Sequence, residues 1–77
     1  MTQELKNKLI EAGYKGEFGL SELIEACGVD FGHLTRIAGM AWNAVSTGDP
    51  NDIPTMTKGN TPEEAVAYLW LNLNAKV

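Results

Sequence analysis

His33 and Cys27 are the two side chains best suited to metal or nucleophilic chemistry, and the sequence holds one residue of each type. Structural zinc needs three or four His/Cys ligands at short spacings, so a lone pair of this kind builds no metal framework, and no carboxylates are spaced to assist His33. A Ser-His-Asp relay can be drawn from Ser21 or Ser46 with His33 and an aspartate, but neither serine sits in a nucleophile-elbow motif. His33, near a strand start, reads as a partly exposed polar residue. Cys27 closes the series Leu20, Leu23, Ile24, Cys27, whose i, i+3, i+4, i+7 spacing lines one helical face. A reactive thiol wants an electropositive, partly exposed setting, so Cys27 reads as a small core residue.

Two loops imitate ligand-binding motifs and fail on particular positions. Asp49-Pro50-Asn51-Asp52 opens like a calcium loop, but Pro54 stands where the loop needs glycine and Asn60 where it needs glutamate. Gly13-Tyr14-Lys15-Gly16 lies between two predicted helices, as does the GXXG loop with which KH domains clamp RNA. No strand precedes the first helix here, so ordinary turn chemistry explains the motif. A phosphate loop of the GxxxxGKS type is absent from the sequence. The residues therefore predict no catalytic, cofactor or metal site, and a protein that is not an enzyme.

With 77 residues, 44% of them hydrophobic, the chain suits one small folded domain spanning 1–77. A single cysteine cannot form an internal disulfide, the first residues show no signal-peptide pattern, and no run approaches a membrane span. These features predict a cytoplasmic protein without membrane association. The net charge of −4 argues against nucleic acid, and Lys6, Lys8 and Lys15 are interleaved with Glu4 and Glu11 as on a solvated helix face.

Thr2 caps a first helix over about Gln3 to Ala12, stopped by Gly13. The connector from Gly13 to Gly19 carries Tyr14 and Phe18, which are expected to fold back onto the core. Ser21 is the expected N-cap of a second helix that ends at Gly28. Phe31 to Thr47 supports two readings. As a helix, Asp30 caps it and Phe31, Leu34, Ile37, Ala38, Ala41 and Val45 share a face. As a hairpin, Gly32–Ile37 and Ala41–Thr47 are strands around an Ala38-Gly39 turn, with Trp42, Ala44 and Ser46 on one side and Ala41, Asn43 and Val45 on the other. Gly32 and Gly39 would each weaken a helix by up to about 1 kcal/mol, and Thr35, Ile37, Trp42, Val45 and Thr47 favour strand, so the hairpin is preferred. Gly48 to Asp52 reads as a turn and Ile53 to Lys58 as an edge strand marked by Pro54.

Thr61 as N-cap, Pro62 at N1 and Glu64 at N3 announce a final helix to about Asn74. Its core stripe is Val66, Leu69, Trp70, Leu73 and Val77, flanked by Ala65, Ala67 and Leu71. That arc exceeds the roughly 100° needed to cover a small sheet. The two short N-terminal helices either cover the excess or leave it for a partner. Trp42, Tyr68, Trp70 and Leu71 are accordingly the candidate interaction residues, with the tryptophans open to either core or surface roles. The fold class expected is α+β: two short N-terminal helices, a three-stranded antiparallel sheet, and a C-terminal helix packed on the sheet.

The run from Gly59 to Asn74, together with Leu20–Gly28 and Trp42-Asn43-Ala44, resembles small uncharacterised bacteriophage and prophage proteins. The resemblance implies a compact α+β domain in a bacterial host and carries over no functional residues. The expected function is a non-catalytic accessory protein acting through a protein partner or self-association. The alternative is a small helix-turn-helix-like nucleic-acid-binding regulator, whose third helix would span Phe31 to Val45.

Overall fold

A computed structural model describes residues 1–36, 39, 41–47 and 54–74. The element order is α1 (Gln3–Glu11), α2 (Leu20–Cys27), a 3-10 turn (Gly28–Asp30), β1 (Phe31–Arg36), β2 (Trp42–Ser46), β3 (Met56–Gly59) and α3 (Pro62–Asn74). The described chain is thus α+β, with a three-stranded antiparallel sheet in the order β1-β2-β3 and α3 packed on it.

Helix α1 starts where Thr2 Oγ1 accepts the Leu5 N–H at 3.2 Å. It stops at a Schellman motif: the Gly13 N–H donates to the Ile10 carbonyl and the Tyr14 N–H to the Leu9 carbonyl, with Gly13 at φ +98°. The left-handed residue turns the chain so that Tyr14 enters the core above Leu9, and both are buried. For α2, the expected Ser21 cap is corrected. Gly19 occupies the N-cap in extended backbone without a side-chain bond, and its carbonyl accepts from Leu23. The helix begins two residues earlier than a Ser21 cap implies, since Leu20, half-buried against the core, is already its first residue.

The segment with competing periodicities is sheet. Residues Leu34, Thr35 and Arg36 face Ala44, Asn43 and Trp42, while Trp42 to Val45 face Gly59 to Met56. Gly32 marks a register irregularity between Phe31 and His33. A Cβ there would stand 2.7 Å from the Val45 carbonyl oxygen, so the glycine that would weaken a helix permits close backbone approach in the strand. Strand β1 starts one residue earlier than expected, at Phe31, while β2 omits Ala41 and Thr47 and β3 omits Pro54 and Thr55 but extends to Gly59. Of the expected Ala38-Gly39 turn only Gly39, at φ +76°, lies among the described residues. The Gly48–Asp52 turn, Ile53 and Val77 lie outside them.

Helix α3 is the centre of the molecule. The Thr61 hydroxyl accepts the Glu64 N–H at 3.2 Å and lies 3.4 Å from Glu64 Oε1, while Pro62 occupies N1. The helix packs against β2 and β3 on one side and against α2, with a smaller contact to α1, on the other. Ala65, Val66, Ala67, Leu69 and Trp70 are all buried, as a helix enclosed on two sides requires. The excess apolar arc is therefore covered in large part by α2. Thr57 ties sheet to helix, donating its hydroxyl to the Ala65 carbonyl at 2.7 Å inside the core.

Candidate functional site

The four candidate interaction residues do not share one surface. Trp70 is only 7% exposed and meets Tyr14 edge to face, with ring centroids 5.2 Å apart. Its indole belongs to the core. Leu71 and Leu73 are half-buried against the same core. Tyr68 projects from the other side of the helix at 37% exposure. Trp42 is half-buried at the end of β2, and the Arg36 guanidinium lies over its indole at 5.6 Å from the ring centroid.

Gly59 explains how Trp42 and Tyr68 come to the same end of the sheet. Across the ladder Gly59 pairs with Trp42, and together with Tyr68 it lines a cleft of about 250 Å³. The other lining residues are Ala41, Lys58, Asn60 and Glu64. A Cβ on Gly59 would stand 2.4 Å from the Ala65 nitrogen and 2.8 Å from Glu64 backbone and Cβ atoms. The absent side chain therefore lets the first turn of α3 sit directly on β3. Sequence reasoning missed Lys58, Asn60, Glu64 and Arg36 as surface residues. The Gly-Asn turn followed by a capping box did signal that strand end and helix start are adjacent, but not which side chains they would flank.

The three strands carry His33, Arg36 and Lys58 and no carboxylate, while the described acidic residues lie in helices, the 3-10 turn and connectors. On the sheet face turned away from α3, strand alternation places Thr35, Asn43 and Lys58 in one row and His33, Val45 and Met56 in the next. Asn43 is 9% exposed. Its Nδ2 donates to the Ala41 carbonyl at 3.4 Å, and its Oδ1 is buried without a hydrogen-bond partner.

The chemical candidates occupy separate places. His33 is exposed and paired with Val45, whereas Ser46 lies on the opposite face of β2 and accepts the Thr55 N–H on its hydroxyl at 2.8 Å. Ser21 is exposed on α2. The serine-histidine arrangement drawn from sequence is not assembled. Cys27 is buried, and desolvation, reinforced by the Asp30 charge, pushes its thiol up to about 11. Burial likewise raises the Tyr14 phenol, which donates to the Glu17 carbonyl. Among the described residues no group of three or more His, Cys, Asp or Glu side chains is placed to hold a metal ion, and no helix is long and apolar enough to cross a membrane. In comparisons with known proteins, no family model, no curated protein and no solved structure matches the chain.

Proposed function

We propose that the chain is a non-catalytic accessory module of the phage or prophage type, acting in the bacterial cytoplasm by contact with a protein partner or a second copy. The contact surface is the sheet end around Gly59, with Tyr68 lining the cleft there and Trp42, under the Arg36 guanidinium, paired with Gly59 across the ladder. The observation that carries this reading is the exposure of the Tyr68 aromatic, beside a cleft, on a helix whose Ala65, Val66, Ala67, Leu69 and Trp70 are buried. Tyrosine and tryptophan offer large contact area at small entropic cost, and arginine is the cation most often found with them at interfaces. Trp70, being core, takes no direct part.

A photo-crosslinking side chain at position 68, compared with one at exposed Ile10 on α1, tests the surface in bacterial extract. The expected result is a discrete crosslinked species from position 68 alone, competed by unmodified protein and not by the Tyr68→Ala variant. Equal crosslinking from both positions would sink the reading. The regulator alternative required a helix over Phe31 to Val45, where β1 and β2 lie instead, and no observation favours it.

A further inference from the structure

We infer that the outer edge of β1 pairs with β1 of a second copy, joining two three-stranded sheets into one antiparallel six-stranded sheet about a two-fold axis. This edge lies across the sheet from β3 and Gly59, so the inference stands apart from the contact at Tyr68.

Two backbone bonds fix which way the polar groups of the strand point. The Ser46 N–H donates to the Thr55 carbonyl on the β3 side, and the Thr47 N–H donates to the carbonyl of Asp30, just ahead of β1, both at 2.8 Å. Backbone groups alternate in direction along a strand. Val45 and Asn43, like Thr47, therefore turn toward β1, and their partners His33 and Thr35 turn toward β2. The N–H and C=O groups of Leu34 and Arg36 then point outward. β1 ends the sheet, and among the described residues no strand lies beyond it. The edge is open to approach, with Gly32, His33 and Arg36 exposed and Leu34 and Thr35 half-exposed.

Sheets commonly guard an edge with proline, with charge, or by keeping the strand short. β3, at the opposite edge, has four residues, follows closely on Pro54 and bears the exposed Lys58. β1 has six residues and neither proline nor carboxylate, and its one fixed charge is drawn inward, the Arg36 guanidinium lying over the Trp42 ring of β2. The order of residues selects a second copy as the occupant. In an antiparallel pair centred on Leu34, that residue meets Leu34 of the second copy and exchanges both backbone bonds with it. Arg36 falls opposite Gly32, which has no side chain to crowd it, and His33 falls opposite Thr35 on the other face. The two Arg36 residues stand about 13 Å apart along the strands, at roughly 3.3 Å per residue, beyond the Debye length of about 8–10 Å. Centring the pair one residue later would set Arg36 against the apolar Leu34. An edge this short buries less than the roughly 1,200 Å² of a standard interface, so the dimer is weak, with a Kd on the order of 100 μM.

Sedimentation velocity of the full chain between about 10 μM and 1 mM reads the association, with a reversible monomer–dimer transition expected near 100 μM. Arg36→Pro replaces an outward N–H with a ring and leaves the bonds to β2 in place, and is expected to weaken the dimer by about tenfold or more. Arg36→Ala loses the guanidinium but keeps the N–H, and Lys58→Pro blocks the outward N–H of the β3 edge by the same alternation; both should dimerise within about twofold of the parent. Circular dichroism checks that each variant folds. Where a proline variant does not, cysteines read the register. With Cys27→Ala in both chains, a His33→Cys chain mixed with a Thr35→Cys chain should give a mixed disulfide in glutathione buffer in preference to either chain alone. Such a non-hydrogen-bonded pair stands about 4.5 Å apart at Cα, within disulfide range. A chain that stays monomeric at 1 mM, equal weakening by Arg36→Ala and Arg36→Pro, loss of the dimer in folded Lys58→Pro, or no preference for the mixed disulfide would each overturn the proposal. Dimerisation through β1 with no crosslinking at position 68 would retain this interface while removing the contact at Tyr68.

Discussion

Gly59→Ala isolates the contact on which the arrangement depends. The added Cβ would meet the Ala65 nitrogen at 2.4 Å and Glu64 atoms at 2.8 Å, whereas ordinary contact begins at 3.4 Å. Strand and helix must separate by up to about 1 Å, and the obstacle is backbone, which cannot rotate away as a side chain would. Gly59 is not in the left-handed region, so the cost is steric and not conformational. Overpacking of this kind costs about 1–3 kcal/mol. Separation also threatens the Thr57 hydroxyl bond to the Ala65 carbonyl, a buried interaction worth about 1 kcal/mol net. A domain of this size loses roughly 4–8 °C of Tm per kcal/mol, so a fall of about 4–25 °C is expected. Thermal unfolding followed by circular dichroism reads it, with Gly13→Ala as the reference: position 13 has φ +98° but nothing within 4 Å of the added Cβ. A Gly59→Ala variant melting within 2 °C of the parent, on the scale of a few tenths of a kcal/mol, would show that α3 does not rest on β3 at this point.

Trp70→Ala removes a core indole and should cost about 3–5 kcal/mol, comparable with the whole stability of so small a domain, so the variant is expected to be largely unfolded by circular dichroism. Tyr68→Ala on the exposed side should keep the fold and shift the melt by only a few degrees, which makes it the usable probe of the surface. Cys27 should resist thiol reagents at neutral pH and react at a rate set by unfolding, since its thiol is buried and pushed up to about 11; prompt labelling of the folded chain would contradict its placement. The neutral thiol is favoured in the folded state. Its stabilising contribution is therefore complete below pH 9 and lost as pH rises through about 11, and the raised Tyr14 phenol acts in the same direction above pH 10, so alkaline melts should show stability falling across this window. Asn43→Val deletes a buried oxygen without a partner and a long hydrogen bond, so denaturant unfolding should give unchanged or slightly increased stability; a loss above about 1 kcal/mol would mean the amide is satisfied in solution.

Local rules written into adjacent residues determined much of this protein. Thr2 and Thr61 cap helices through bonds to backbone three residues on, and Gly13 ends α1 because a left-handed residue is needed there. The β-branched residues between Phe31 and Thr47 correctly outweighed the helical spacing. Tertiary structure decided what periodicity leaves ambiguous. An arc of apolar residues on α3 looks the same whether a partner or α2 covers it, because burial depends on what packs from afar. Trp70 and Tyr68 lie two residues apart and so about 200° around the helix; only the docking of α2 and Tyr14 made one core and left the other exposed. Lys58, Gly59 and Glu64 are close in sequence, yet the cleft they line exists because a glycine without a Cβ lets strand and helix touch, a property of two backbones in contact and not of either element alone.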